Sequence, residues 1–320
     1  MPNLLSIKNL RVSFPSPTGS VEAVRDVSLS LDKGSVLALV GESGSGKSMT
    51  AFSIMRLVPT PGLVTADEIL FEDQNLIDCS EDTMRSIRGR RISMIFQEPM
   101  TSLNPVLKIG DQISEPLLLH NKLSRKEAAG QSEELLTKVG ITSAGDRMRD
   151  YPHQLSGGMR QRVMIAMALA CHPALLIADE PTTALDVTIQ AQILELLDEL
   201  RTTTGMGLLL ITHDLGIVAD RSNFTAVMYA GQIVESAPTG ILLCGPKHPY
   251  TKALLASLPQ YSEPGKPLAT LTSQITANPS NYSGCLFALR CPIASTECFS
   301  NPQELREISP SHKVRCWKSI

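Results

Sequence analysis

The sequence lacks any uninterrupted apolar run of the length that a membrane-spanning helix needs. About 20 consecutive apolar residues are required to cross a bilayer, and the longest candidate, Val163 to Ala178, is interrupted by His172 and Pro173. The first residues, Met1 to Lys8, also lack the basic region, apolar core and small-residue cleavage site of a signal peptide. We therefore expect a cytosolic protein that meets a membrane only through partner proteins.

An excess of positive charge is absent as well. Charged residues make up 19% of the 320-residue chain, and its formal net charge is −3 at pH 7. Because a nucleic-acid-binding surface needs a basic patch, this composition argues against nucleic acid as a partner. The length allows one large core and an appendage, since single cores seldom grow beyond about 250–300 residues.

A phosphate-binding loop is present. Gly41 to Ser48 match the pattern G-x-x-x-x-G-K-[ST] at every fixed position, and the apolar run Val36 to Val40 predicts the strand that delivers this loop. Glycines let backbone N–H groups curl around phosphate oxygens, and Ser48 to Leu57 predicts a helix whose N-terminus faces the anion. Lys47 supplies a point charge and Ser48 a magnesium ligand. The predicted phosphate-binding residues are Gly41, Ser43, Gly44, Ser45, Gly46, Lys47, Ser48 and Met49.

The loop predicts a nucleoside triphosphate site, which kinases, GTPases and many ATPases share. Two adjacent acidic residues further along the chain narrow the choice among these enzyme classes. Leu175 to Ala178 predicts a buried parallel strand, so Asp179 lies at its carboxyl end, where open α/β sheets place ligand chemistry. Asp179 can hold magnesium there through water, and Glu180 can orient the water that attacks the terminal phosphate. Adjacent acids after a strand can also form only a solvated turn.

The motifs and their order resemble those of the nucleotide-binding subunits of ATP-binding cassette transporters, over nearly the whole chain. Leu155 to Met159 resembles the family's signature sequence, Ala184 to Asp186 its D-loop, Gln97 its Q-loop and His213 its switch histidine. The family's signature usually ends in glutamine, whereas this one ends in methionine, a substitution common in the peptide-importer branch.

The resemblance implies an α/β fold of the P-loop NTPase class, with a RecA-like core, an antiparallel β subdomain and a helical subdomain at about residues 98–160. It implies a nucleotide-binding domain over residues 1–242 and a small, loop-rich C-terminal extension over residues 243–320. ATP and Mg²⁺ are the implied ligands, and Ser48, Gln97 and Asp179 are the implied magnesium contacts.

The resemblance also implies head-to-tail pairs of ATPase subunits. The phosphate loop of one subunit and Ser156, Gly157 and Gly158 of the other would close on the same ATP, with Asp186 at the same interface. Two glycines at a helix start form an anion site in their own right, because Ser156 is placed to cap a helix over Val163 to Ala170. His213 would sense the γ-phosphate.

Local patterns predict further elements. Ser124 with Glu127 matches a capping box, and Gly140 stands where a helix C-cap glycine belongs. Asp186 is a predicted N-cap for a helix over Val187 to Leu200. A hairpin is predicted around Ala230 and Gly231, between the strands Phe224 to Tyr229 and Gln232 to Glu235. Phe14 is a candidate both for stacking on adenine and for the core. His248 and Tyr250 are predicted to be structural, and residues 259–283 to form a loop-rich connection.

Four of the seven cysteines lie in the last stretch of the chain, namely Cys285, Cys291, Cys298 and Cys316. A cytosolic protein keeps its thiols reduced, so a disulfide framework is not expected. Thiolate ligation of a metal would instead staple a tail that has few large apolar residues. The spacing lacks the paired C-x2-C knuckles of zinc sites, and resemblance to the peptide-importer branch implies a [4Fe–4S] cluster. Zinc and unligated thiols remain alternatives. The other cysteines, Cys79, Cys171 and Cys244, are predicted to be small buried hydrophobes.

The leading function is an importer ATPase that powers uptake of di- and oligopeptides from the cytoplasmic face of the membrane. Its implied partners are a related second ATPase subunit, two transmembrane permease subunits and an extracytoplasmic solute-binding protein. Importers of glutathione or chelated nickel are alternatives within the branch. A soluble cassette ATPase of DNA repair or translation is disfavoured by the single uninterrupted cassette. A redox sensor with a vestigial nucleotide fold is disfavoured by the intact Lys47, Asp179, Glu180 and His213.

Overall fold

In the computed structural model, alternating apolar residues form strands with one buried face, and continuous apolar runs form strands that are buried at every residue. The structure describes residues 3–17, 19–97, 102–182, 186–258 and 283–318. The strands are β1 Asn3–Ser16, β2 Gly19–Asp32, β3 Val36–Val40, β4 Leu63–Thr65, β5 Glu68–Phe71, β6 Gln74–Asn75, β7 Ile92–Ile95, β8 Leu175–Asp179, β9 Gly207–Thr212, β10 Phe224–Tyr229, β11 Gln232–Pro238, β12 Arg306–Ser309 and β13 His312–Val314.

Helices occupy much of the chain between β6 and β10. The α-helices are α1 Lys47–Met55, α2 Glu81–Ile87, α3 Ile109–His120, α4 Arg125–Lys138, α5 Ala144–Arg147, α6 Gly157–Leu169, α7 Val187–Thr204, α8 Leu215–Arg221, α9 Thr239–Cys244, α10 Pro249–Ala256 and α11 Thr296–Ser300. Short 3₁₀ turns lie at Pro152–Gln154 and Ala288–Arg290. Among the helices that the structure describes, none combines the length and apolarity required to cross a bilayer.

The chain divides into two compact units. Among the described residues, the first comprises those within 32–35 and 78–209, and the second comprises those within 3–31, 36–77 and 210–318. In the second unit, one sheet has the strand order β2-β1-β5-β6, with β4 paired to β1. Strand β1 runs antiparallel to β5, with Leu5 opposite Phe71 and Ile7 opposite Ile69. These four side chains are buried while Lys8 is exposed, as expected of a strand with one face exposed to solvent.

The second sheet of this unit carries the phosphate loop. Strand β3 is buried at every residue and pairs in parallel with β10, which turns through Ala230 and Gly231 into β11. Both turn residues have left-handed backbones, with φ of 46° and 87°, so the predicted hairpin is confirmed with the backbone that a tight two-residue turn favours. The tail adds β13 beside β11 and β12 beside β13, both antiparallel.

In the first unit, three helices pack around a buried apolar core. Helices α3, α4 and α6 contact one another, and fully buried core residues include Ile113, Leu117, Leu136 and Val163. The unit also contains the parallel pair β7 and β8, in which Ile95 stands opposite Ala178.

Helix ends follow the local sequence. Ser124 and Glu127 form both hydrogen bonds of the capping box at the start of α4. Gly140 has φ of +78°, and the N–H of Ile141 reaches the carbonyl of Leu136, as in a Schellman ending. Predicted strands and helices therefore appear where expected, with ends that differ by a few residues.

The prediction that Cys79, Cys171 and Cys244 are buried was wrong, because none of the three is fully buried. Cys79 and Cys171 are half-buried, and Cys244 is exposed. Cys244 is the last residue of α9, whose buried side includes Leu242. Two residues rotate an α-helix by about 200°, so Cys244 faces away from the packed side.

Candidate nucleotide site

The phosphate loop is packed too tightly for side chains at two of its glycines. Its first residue, Gly41, follows β3 directly, and a Cβ there would overlap the carbonyl oxygen of Met228 on β10. A Cβ on Gly46 would overlap the carbonyl oxygen of Ala23. Gly46 and Gly44 also have left-handed backbones, with φ of 104° and 77°. The glycines are therefore required by close approach and backbone conformation, which together give the loop its curl.

The polar groups of this loop suit an anion. Lys47 is 5% exposed, and its Nζ donates to the carbonyl oxygens of Gly41, at 2.8 Å, and Glu42, at 3.0 Å. The Oγ of Ser45 is buried, and no described residue offers it a hydrogen bond. A buried hydroxyl without a partner is costly, and a phosphate oxygen is a group that would satisfy it.

The remaining loop residues lie just before the first turn of α1 or within it. Ser43 and Gly44 are exposed, while Ser48 and Met49 are half-buried in the first turn of the helix. Helix α1 therefore begins at Lys47, one residue before the predicted start, and its N-terminus follows the loop as a phosphate site requires.

In the first unit, the parallel register of β7 and β8 brings Gln97 to Glu180. Ile95 of β7 is opposite Ala178 of β8, and Gln97 and Glu180 each lie two residues beyond this pair. The Gln97 Nε2 donates to the Glu180 Oε2 at 3.1 Å. The neighbouring Asp179 is 2% exposed at the end of β8. A side-chain amide and two acidic residues thus lie together at the carboxyl ends of neighbouring parallel strands.

Glu180 has an unusual backbone. Its φ is +47°, in the left-handed region that non-glycine residues seldom occupy. Such a conformation costs about 1–3 kcal/mol and is concentrated at functional sites. The turn aims the carboxylate of Glu180 along the strand edge toward Gln97.

The signature residues begin α6. The Ser156 side chain accepts a hydrogen bond from the N–H of Met159 at 3.3 Å, so the predicted N-cap is confirmed. A Cβ on Gly157 would meet nothing within 4 Å, whereas one on Gly158 would touch Ile189. Asp186 caps α7 by accepting from the N–H of Ile189 at 2.9 Å, also as predicted. The other D-loop residues, Ala184 and Leu185, lie outside the described residues.

His213 is exposed immediately after β9. The following Asp214 caps α8 by accepting from the N–H of Gly216 at 2.8 Å. His213 and the phosphate loop belong to the second unit, whereas Gln97, Asp179, Glu180, the signature and Asp186 belong to the first.

The four C-terminal cysteines border a single cavity. Cys285, Cys291, Cys298 and Cys316 line about 20 Å³ of space, which is room for about one water molecule. Burial, with the neighbouring thiols, raises the pKa of Cys285 to about 11 and also raises the pKa of Cys291. Within the described residues, no group of three or more His, Cys, Asp or Glu side chains is arranged as a metal site.

Sequence reasoning missed two residues that touch the phosphate loop. The Tyr250 hydroxyl accepts from the N–H of Glu42 at 2.9 Å, and Arg290 donates to both carboxylate oxygens of Glu42, at 2.9 and 3.0 Å. The only sequence signal is an acid at the second position of the loop, and it does not indicate a partner 248 residues away.

Two segments of the chain match known protein families. Residues 24–183 match the ABC transporter family, and residues 234–298 match the family described as oligopeptide/dipeptide transporter, C-terminal region. The chain belongs to the ABC transporter family. The predicted family and fold class are thereby confirmed.

Relatives of this ABC protein extend over its whole length. It is 50% identical over 320 residues to the dipeptide transport ATP-binding protein DppD of Bacillus subtilis, covering 99% of this chain and 95% of the relative. It is 49% identical to the oligopeptide transport ATP-binding protein OppD of the same organism, covering 98% and 88%.

Solved structures agree on the fold of this ABC protein. A dimeric post-hydrolysis state of the ATP-binding cassette MJ0796, bound to ADP and phosphate, has a TM-score of 0.66 at 28% identity and covers 73% of this chain and 98% of its own. The cassette cbiO1 of Clostridium perfringens has a TM-score of 0.62 at 26% identity, with coverage of 77% and 92%.

Proposed function

We propose that this protein is the ATP-hydrolysing subunit of an ABC importer and powers uptake of di- and oligopeptides through separate membrane subunits. The observation that carries the peptide assignment is the match of residues 234–298 to the C-terminal region of oligopeptide and dipeptide transporters. The pairing of Gln97 with Glu180 beside Asp179 supports hydrolysis, because these groups are suited to holding the attacking water.

Each site residue has a proposed role in hydrolysis. Gly41 to Met49 cradle the phosphates, with Lys47 as the charged donor. Ser48, Asp179 and Gln97 would hold Mg²⁺, which would neutralise charge on the β- and γ-phosphates. Glu180 takes the proton of the attacking water, and His213 senses the γ-phosphate.

A second ATPase subunit would complete the site. Ser156, Gly157 and Gly158 at the N-terminus of α6 form an anion site, which in our proposal grips the γ-phosphate of ATP held by a partner's loop. Asp186 would lie at the same interface. We propose a related second subunit as this partner, and closure of the pair on binding ATP would follow from the preference of nucleotide for the closed state.

The membrane partners are two permease subunits and an extracytoplasmic solute-binding protein, with this chain peripheral on the cytoplasmic face. A groove of about 680 Å³ on the helical region supports docking of a permease. It is lined by residues of α3 and α4 and includes Leu107 and the 66% exposed Leu119. We place the nucleotide-binding domain at residues 1–242, its helical subdomain at about 98–160 and the extension at 243–320.

Transport can be tested in vesicles that contain the permeases, this chain and the related second ATPase subunit, with the binding protein on the opposite side. We expect ATP-dependent accumulation of labelled dipeptide or oligopeptide, and none with Glu180→Gln. Accumulation of glutathione or a nickel chelate in place of peptide would support the alternative importers. ATP hydrolysis that drives no uptake would favour a non-transport ATPase.

For the four C-terminal cysteines we propose metal ligation, as a [4Fe–4S] cluster with a single zinc ion as the alternative. Four cysteines border one cavity, and four thiolates are a donor set that both species accept. Because this cavity measures only about 20 Å³, the segments that carry the cysteines would have to move apart to hold a cluster. The raised pKa values of Cys285 and Cys291 are a cost of burial that a bound cation would relieve. Bound metal would cross-link three separate segments of the extension.

Anaerobic purification followed by iron, sulfide and zinc analysis distinguishes the three states. Four irons with broad visible absorbance support the cluster, one zinc supports the alternative, and neither leaves unligated thiols. Cys298→Ser should remove the metal. The matched control is Cys244→Ser, because Cys244 is exposed and does not border the cavity.

A further inference from the structure

Glu42, the second residue of the phosphate loop, is held at all three of its polar groups. Its N–H donates to the Tyr250 hydroxyl, its carboxylate accepts two hydrogen bonds from Arg290, and its carbonyl oxygen accepts from Lys47. Tyr250 and Arg290 both lie in the region that follows the cassette. The C-terminal extension therefore contacts the loop that is expected to bind ATP.

Arg290 makes a shielded, two-pronged contact. Its side chain is 5% exposed, and that of Glu42 is 25% exposed. Parallel hydrogen bonds between a guanidinium and a carboxylate are both strong and directional. Burial by itself lowers the pKa of Arg290, but hydrogen bonds to Glu42 and Tyr229 outweigh it and raise the pKa, so Arg290 stays charged. The ion pair is thus a fixed feature of the loop.

An aromatic cluster packs around Tyr250 and Arg290, the two residues that contact Glu42. The rings of Tyr229, Tyr250 and Phe287 meet pairwise, with centroids 4.7–5.4 Å apart. Tyr250 is fully buried, and the Arg290 guanidinium lies 5.7 Å from the centroid of the Tyr229 ring. Because packed interiors resist displacement, Tyr250 and Arg290 have little freedom to move away from Glu42.

The extension is itself anchored to the sheet next to the loop. Glu235 on β11 is fully buried and accepts hydrogen bonds from the N–H groups of Lys247 and His248, and its carboxylate lies 2.8 Å from the Nε2 of His312 on β13. One side chain thus ties together the start of α10 and the final hairpin. The segments that carry the partners of Glu42 are therefore attached to the same sheet as the phosphate loop.

ATP binding would change which contacts hold the loop. Lys47 donates to the carbonyls of Gly41 and Glu42, and its ammonium must turn to a phosphate when nucleotide enters. The conformation of the loop at Glu42 then depends on Tyr250 and Arg290. The carboxylate of Glu42 would also repel the phosphates unless a cation pairs with it.

We propose that Arg290 and Tyr250 are positioning residues of the ATP site, through which the C-terminal extension holds Glu42 and keeps the phosphate loop in its binding conformation. The inference rests on the proposed function only in that the loop must bind ATP. Neither residue touches the reacting atoms. The extension is thereby assigned a part in nucleotide affinity.

The test measures dissociation constants for ATP and adenosine, together with Tm and the KM and kcat of hydrolysis, in the full-length chain. Arg290→Met should weaken ATP binding by about tenfold or more, because a charge-assisted pair is lost and the Glu42 carboxylate is left half-buried. Tyr250→Phe should weaken it by a few fold. Adenosine, which has no phosphate, should bind as before, and KM should rise with little change in kcat.

A double variant separates this role from a general loss of stability. Glu42→Gln combined with Arg290→Met should recover most of the ATP affinity, because the unpaired charge is gone. Arg11→Met is the matched control, since Arg11 forms an exposed ion pair with Asp26 in the same unit, at 2.6 Å. It should leave both dissociation constants unchanged.

Unchanged ATP affinity in both Arg290→Met and Tyr250→Phe would overturn the inference. So would a loss of affinity that follows Tm and is not recovered in the double variant. If the wild-type chain itself fails to bind ATP, the proposed function fails, and that outcome is recognised without reference to any variant.

Discussion

Glu180 combines a strained backbone with a defined partner. Its left-handed φ of +47° is an arrangement that a buried strand and the following turn must enforce. The hydrogen bond from Gln97 holds its carboxylate in one orientation. A carboxylate held in this way can orient a water molecule and accept its proton, whereas an amide of the same shape cannot accept that proton.

We therefore predict that Glu180→Gln binds ATP with nearly unchanged affinity and hydrolyses it about 10²–10⁴-fold more slowly. Single-turnover hydrolysis and equilibrium nucleotide binding check the two parts separately. Equal hydrolysis by the variant and the wild type would remove Glu180 from the mechanism.

Lys47 should contribute to binding itself. Its ammonium is nearly buried among loop carbonyls, so its charge is available to phosphate without a large rearrangement of the loop. We predict that Lys47→Ala weakens ATP binding by about 1.5–3 kcal/mol, the value of a hydrogen bond to a charged group. A dissociation constant equal to that of the wild type would contradict this role.

Helix caps account for much of the local order around the site. Ser156, Asp186 and Asp214 each accept a hydrogen bond from a backbone N–H at the start of a helix, and each such cap contributes about 1 kcal/mol. Helix α10 is capped differently, because the Nδ1 of the buried His248 accepts from the N–H of Tyr250 at 3.1 Å. This cap requires a neutral imidazole.

The pH dependence of stability should reflect that cap. Burial, aided by the charge of Arg315, lowers the pKa of His248 from 6.5 to about 3. Between these values the unfolded chain binds a proton that the folded chain excludes, so the free energy of unfolding falls as pH falls from about 6.5 to about 3. The expected slope approaches 1.4 kcal/mol per pH unit for this one group.

Chemical denaturation at pH 5.5 and 7.5 tests this expectation. His248→Asn keeps a side-chain acceptor for the cap but does not titrate, so the difference in stability between the two pH values should shrink in that variant. The same pH dependence in both proteins would show that His248 stays charged or is accessible to solvent in the folded state.

At the scale of the whole molecule, two candidate anion-binding elements belong to two different units. The phosphate loop belongs to one unit and the capped glycines of α6 to the other. Both elements are preorganised by glycines, caps and strand packing before any nucleotide arrives. In our proposal, these two elements bind the same ATP from different subunits. The chain should therefore dimerise when ATP is bound, and its dimerisation can be measured.

We predict that Glu180→Gln with Mg-ATP forms dimers, with itself or with a related ATPase subunit, and that adding Gly157→Glu abolishes them. Nothing lies within 4 Å of a Cβ at Gly157, so the monomer should fold and bind ATP, while the new charge would repel the partner's phosphates. Gly130→Glu, at an equally open position in α4, is the control. Light scattering reports the mass, and a chain that stays monomeric with every partner would argue against the shared site.

The sequence alone determined the features that depend on neighbouring residues. The phosphate loop, the capping box at Ser124 and the turn at Ala230 and Gly231 each depend on backbone conformation and hydrogen bonds within a few positions. The family followed from the same kind of local motif. These elements were predictable because adjacent side chains select them directly.

Only the tertiary structure decided which distant residues meet. Strand register brought Gln97 to Glu180, packing of the extension gathered four cysteines around one cavity, and Arg290 reached Glu42 across 248 positions. The tertiary structure also leaves Cys244 exposed to solvent, although its residue type had predicted a buried position. Such contacts depend on how whole elements pack, and no local propensity of a residue encodes the identity of a partner brought to it by the rest of the fold.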